Sequence, residues 1–252
     1  MAGIHEIYTR EIHKKLGFLA CWFPNTLISI GDVGTLRGHR FDRVTSLGDL
    51  NVPFAVRELS VAADLNYQSA GKVRVSAGAG AAAPGAGSGK LSVAFNDAGA
   101  TLLQASGCAW RELANLPALE RELQVLRLAK VWRREWVVVH KVLHTGPAAI
   151  LVSATAGATV DLEVSADVLA GPLPVANASA ALAAANPHGL AARVAVESGA
   201  TPFFGAIAFQ RSLVGPSRFA WRSSEPDVVG LPGSAPASAL AEVDWEHAVD
   251  DG

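Results

Sequence analysis

The chain has 252 residues, half of them apolar and 17% charged, so it can bury a sizeable core and is too apolar to stay disordered. Its net charge of −2 argues against a dedicated nucleic-acid binder, which needs a basic face to meet phosphates. The charge is uneven: of 21 basic and 23 acidic residues, residues 225–252 hold seven acids and no Lys or Arg, which leaves a tail of −7 on a body of +5.

Ile4, Ile7, Tyr8 and Ile12 recur at helical spacing and predict a helix over 5–15, stopped by Gly17, with Arg10, Lys14 and Lys15 extending its polar side. This N-terminal stretch has no apolar h-region, so no secretory signal is expected, and the two cysteines, Cys21 and Cys108, fit a reducing cytosol. FLACWF (18–23) and LISI (27–30) predict short strands, GDVGTLRGHRF (31–41) turns, and TSLGDL (45–50) a capped turn. KVRVSAGAG (72–80) and KLSVAFND (90–97) alternate as strands do, and ATLLQASG (100–107) follows them. The small-residue stretch AAAPGAGSG (81–89) makes the first two a long hairpin with a flexible tip.

PALERELQVLRLAKVWRR (117–134) predicts the long central helix, with Pro117 in its first turn, Leu119, Leu123, Leu126 and Lys130 at helical spacing, and basic residues at its end. Strands are predicted at 136–143, 148–155, 158–168, 191–198, 203–210 and 219–222, whereas 175–186 fits either helix or strand. Pro, Gly, Ser and Ala over 225–239 read as a linker, and ALAEVDWEHAV (239–249) as a short helix. The fold class is α+β, mostly antiparallel sheet with a central helix. The domain reading is a body at 1–224 and an acidic segment at 225–252. No apolar run is long enough for a membrane-spanning helix, which leaves spanning strands open, since these need only ~10 alternating residues each.

Three motifs invite chemistry. Gly85-Ala86-Gly87-Ser88-Gly89-Lys90 looks like a phosphate loop, but the first glycine of that pattern is Pro84, the Mg²⁺ hydroxyl position is Leu91, and a strand follows where a helix N-terminus is needed. His140 and His144 have zinc-protease spacing, but Lys141 stands where the glutamate base belongs and the run predicts a strand. Cys108 is a candidate nucleophile with His140 in a small hydrolase, set against a buried structural cysteine. No pair of carboxylates stands out as acid and base, so the chain reads as a non-enzyme with no cofactor or metal. Arg10, Lys14, Lys15 and the loop RGHRFDR (37–43) are candidate contacts for phosphate groups or acidic lipids, the alternative being a solvated face. Residues 54–106 and 147–198 are moderately apolar and alternating, which suits either sandwich strands or the wall of a membrane barrel.

In order along residues 1–222, KKLGFLACWFP, TSLGDLNVPF, KLSVAFND, EWVVVHKVL and ATPFFGAIAFQ resemble the elements of the gasdermin pore-forming family, in its short bacterial and fungal members. The resemblance implies a gasdermin N-terminal-domain-like fold with a twisted sheet and no catalytic residue. It also implies a cytoplasmic protein that moves to the inner face of the cell membrane on activation and kills the cell. Two hairpins would then insert, their apolar positions being Val73, Val75, Leu91, Val93, Phe95, Val152, Val160, Leu162, Val164, Val194 and Val196, and subunits would close into a homo-oligomeric barrel. The implied partners are acidic membrane lipids, met first by Arg10, Lys14 and Lys15, and an activating protease that removes an inhibitory C-terminal segment; nucleic acid is not among them. Family members often carry an acylated cysteine within the first few residues. This chain has none before Cys21, which lies in an apolar strand and is the lipidation candidate that remains. The alternative reading is a soluble α+β protein-binding module in defence or signalling.

Overall fold

A computed structural model describes residues 2–59, 63–77, 89–164, 188–209 and 240–243. In chain order the elements are α1 (Ile4–Leu16), β1 (Leu19–Ala20), β2 (Asp32–Arg37), β3 (Arg40–Ser46), β4 (Val56–Glu58), β5 (Ala63–Gln68), β6 (Val73–Ala77), β7 (Gly89–Phe95) and β8 (Thr101–Leu113). Then follow α2 (Leu116–Leu128), β9 (Val137–His144), β10 (Ala148–Ser153), β11 (Thr159–Val164), β12 (Leu190–Val196), β13 (Phe203–Phe209) and β14 (Leu240–Glu242). The class is α+β with mostly antiparallel strands and, among the described residues, two helices. The chain divides into two compact units, each assembled from three separate stretches.

The first unit holds Met1–Leu27, Leu59–Trp110 and Leu143–Pro202. Here β5, β8, β10 and β12 pair antiparallel in that order, while β6, β7 and β11 make a second sheet with β7 in the middle. Leu91, Val93 and Phe95 of β7 and Val160 and Leu162 of β11 share one core with Ala100 and Leu102 of the β8 region and Ala149 and Leu151 of β10. The two sheets therefore face each other across an apolar interior, and each large aliphatic or aromatic buried there contributes about 1.5–3 kcal/mol. Tyr67 stands opposite Leu103, and its hydroxyl donates to Glu11 of α1 at 2.6 Å. Cross-strand partners share a face, so α1 lies on the side of the four-stranded sheet turned away from the second sheet.

The second unit holds Ile28–Glu58, Arg111–Val142 and Phe203–Gly252. β2 pairs with β3 through a two-residue turn, Gly38-His39, both with positive φ (53° and 60°), the conformation that matches the twist of a hairpin. β2 also pairs with β9, and β4 lies along the end of β8. α2 is capped by Asn115, whose Oδ1 accepts from the Ala118 amide at 3.1 Å, and buries Leu119 and Leu123 against Val33, Leu113, Trp136 and Val138.

Several expectations are corrected. LISI (27–30) is not a strand, because Ser29 donates its amide to the Asp32 carboxylate at 2.8 Å and Gly31 turns at φ 87°. Residues 31–41 are largely strand: Gly34 broke the apolar alternation, yet a Cβ there would strike the Asp42 carbonyl oxygen, so the glycine marks close strand approach. FLACWF supplies only Leu19–Ala20. β8 runs on past Gly107 to Leu113. The central helix ends at Leu128 rather than 134, with Lys130 outside it. Residues 240–242 form a strand, not a helix, held on β13 by Ile207↔Glu242, Ala208↔Ala241 and Phe209↔Leu240. The capped turn at 45–50 is present, with Ser46 Oγ accepting from the Asp49 amide at 3.1 Å. The expectations for 175–186, 219–222 and 225–239, the hairpin tip at 81–88 and the 224/225 boundary fall outside the described residues.

Candidate functional site

α1 is anchored on one side and open on the other. The Glu6 carboxylate accepts from the Gly3 amide at 3.2 Å, Gly17 closes the helix at φ 76°, and Tyr8, Thr9 and Ile12 are buried. Arg10, Lys14 and Lys15 are all exposed. Arg10 and Lys14 are one turn apart and share a face, whereas Lys15 lies ~100° further round, so the trio is a pair plus one. His13, Lys14 and Lys15 in the last turn oppose the negative end of the helix dipole, which favours those positions for structure alone.

The sheet β11–β7–β6 is amphipathic with a period of two. Its registers place Val73 opposite Phe95, Val75 opposite Val93, Val93 opposite Val160 and Leu91 opposite Leu162. Leu91, Val93, Phe95, Val160 and Leu162 are buried and Val73 and Val75 half-buried, all toward the interior. Arg74, Ser76 and Asp161 on the alternate positions are exposed, and Ser92 and Thr159 half-buried. The other candidates do not join this face. Val152 is in β10, out of step with Ala149 and Leu151, so it turns to the far side of its sheet, as does Val194 opposite Ile150. Val196 is half-buried opposite Ala148, and for Val164 only the backbone, paired with Gly89, is described.

In this fold the described strands of 147–198 are divided between the two sheets. β10 and β12 pair with each other, but β11 between them in sequence crosses to the other sheet and pairs with β7. Gly157 makes the crossing at φ 79°, its amide donating to the Phe95 carbonyl at 2.8 Å while Phe95 donates to the Ala158 carbonyl at 2.9 Å. Alternation alone does not specify a strand's partner.

The residues of the three sequence motifs that the structure describes lie on strands. Gly89 and Lys90 open the strand β7, not a helix, so no N-terminal dipole faces a phosphate. His140 and His144 sit on one strand, ~13 Å apart at strand rise, too far to share an ion. Among the described residues no three His, Cys, Asp or Glu side chains converge as metal ligands. Burial pushes the Cys108 thiol up from its ordinary range, the opposite of what a nucleophile needs. Cys21 is buried, its thiol donates to the Thr201 carbonyl at 3.0 Å, and desolvation raises its pKa, so in this fold the sulfur faces a carbonyl rather than an acyl donor. In RGHRFDR, Arg43 is committed to Asp32 at 2.7 Å, and this ion pair with its hydrogen bond raises the guanidinium pKa. A shallow cleft of about 250 Å³ beside Phe54, Leu113, Asn115 and Leu119 has no titratable group in its lining.

No helix among the described residues is long and apolar enough to cross a membrane, which leaves strands unaddressed. No family model matches the chain, and neither a curated protein nor a solved structure does.

Proposed function

We propose that the chain is a pore-forming effector of gasdermin type, which oligomerises in membranes through amphipathic strands. The observation that carries the reading is the sheet β11–β7–β6, with aliphatic and aromatic residues on one face and Arg74, Ser76 and Asp161 on the other. Removed from its partner sheet, that apolar face needs another apolar phase, and a closed strand assembly in lipid satisfies both side chains and backbone. The resting form is cytoplasmic. Arg10, Lys14 and Lys15 make the first contact with acidic lipids at the inner face of the membrane.

The acidic segment restrains the protein until a protease cuts the linker. β14 contributes three residues of pairing to β13, with Val243 also donating to the Ala206 carbonyl at 3.0 Å. While covalently attached, so short a strand pairs at high effective concentration; once the linker is cut it is a weak, dilutable ligand. Full-length chain and chain cut between Ser223 and Ala239 should therefore differ in dye release from phosphatidylglycerol vesicles, only the cut form releasing dye. A cut form that stays inert would remove the pore reading.

A further inference from the structure

β3 is an edge strand with unbalanced charges. Among the described residues it pairs with β2 alone. The residues flanking a two-residue hairpin turn exchange both backbone hydrogen bonds, so Arg40 spends its own on Arg37, and Asp42, two residues on, spends its own on Thr35. The N–H and C=O groups of Phe41 and Arg43 therefore point out of the sheet. Beyond them the register shifts, which leaves Val44 without a partner on β2 and 52% exposed. Arg37 and Arg40 stand directly opposite each other, both exposed, as a like-charge pair that costs stability. Asp42 is exposed on the same face, and none of the three makes an ion pair among the described residues. Arg43 differs, being held by Asp32 at 2.7 Å and Asp49 at 3.7 Å.

We propose that two copies of this chain join β3 to β3 as an antiparallel pair, about a two-fold axis at Phe41. Outward backbone groups must meet outward groups, so the axis falls on a residue rather than between two. An axis at Arg40, Asp42 or Arg43 would set that charge against its own copy. At Phe41 the register places Arg40 opposite the partner's Asp42, and Asp42 opposite the partner's Arg40. The two Phe41 residues face each other and exchange both backbone bonds. Charges on an edge strand ordinarily block pairing. Here their order along the strand is self-complementary, and each Arg40, which meets only Arg37 across β2, gains an acid on its other side. The contact is isologous and closes at two copies, so it is distinct from the head-to-tail contact that a barrel requires.

The dimer is tested by sedimentation equilibrium of the full chain at rising concentration. Arg40→Asp alone, or Asp42→Arg alone, turns both cross-copy pairs into like charges and should weaken dimerisation roughly tenfold or more. Both side chains are exposed, so neither change should lower the melting temperature. An equimolar mixture of the two variants should dimerise about as tightly as the unaltered chain, because the reversed charges of one copy then face their opposites on the other. The double variant Arg40→Asp with Asp42→Arg should do the same by itself. A chain that stays monomeric up to about 1 mM would overturn the proposal. So would a dimer indifferent to either single change, or a mixture no tighter than its components.

Discussion

The Val131 amide donates to the Leu126 carbonyl at 2.9 Å, and Lys130 donates to Arg127 at 3.0 Å with its own backbone left-handed at φ 58°. These two bonds end α2 in a Schellman motif that places a lysine where glycine is usual. Lys130→Gly removes ~1–2 kcal/mol of left-handed strain and adds ~0.5–1 kcal/mol of unfolded-chain entropy, for a net gain of ~0.5–1 kcal/mol. Urea denaturation should show a higher midpoint; a lower one would mean the lysine side chain holds the cap.

Gly34→Ala should cost about 2–3 kcal/mol, since its Cβ would meet the Asp42 carbonyl and the Phe41 ring inside the β2–β3 pair. Its φ is not in the left-handed region, so the penalty is steric. A neutral effect in thermal melts would show that the hairpin opens easily at this point.

Neighbours on β11 should behave oppositely. Leu162 is fully buried in the sandwich and Asp161 is exposed. Leu162→Ala should destabilise by about 2–5 kcal/mol, and Asp161→Ala should stay within about 0.5 kcal/mol. Comparable losses at both positions would reject the assigned faces.

Tyr8 and Cys21 are fully buried with pKa values raised first by desolvation, and the Tyr8 hydroxyl has no hydrogen-bond partner among the described residues. Both are neutral when protonated, so the folded state retains protons that the unfolded state gives up. Stability is fully present below the ordinary thiol and phenol values of 9.0 and 10.0 and falls as pH rises above them. The slope is about 1.4 kcal/mol per pH unit for each such group. Tyr8→Phe should be neutral or stabilising and should flatten the alkaline limb, measured as melting temperature against pH.

On α1, Arg10→Glu with Lys14→Glu should weaken sedimentation with acidic vesicles more than Lys15→Glu with Arg10→Glu, because only the first pair shares a face. Equal effects would indicate diffuse attraction rather than a directed helix face.

Local rules made much of this protein legible in its sequence. Gly17 after an apolar stripe gave α1, the alternation in KVRV and KLSVAF gave β6 and β7 and their pairing, and Ser46 with Asp49 gave the capped turn. Each depends on neighbours within a turn or a hairpin, where spacing is sufficient information. Other boundaries depended on distant partners. GDVGTLRGHRF looked turn-rich until Gly34 let the Asp42 backbone pack over it, and Lys130 looked helical until Leu126 captured the Val131 amide. Likewise, 240–242 took strand form by pairing with β13.

The sequence by itself determined the apolar period of each segment, along with the charge split between body and tail. Only the tertiary structure decided that β11 leaves β10 for β7, that Arg10 and Lys14 stand together without Lys15, and that Val125 and Leu128 remain outside. The physical reason is that apolar periodicity is written in each segment, whereas pairing and burial are settled by which distant surface each segment meets.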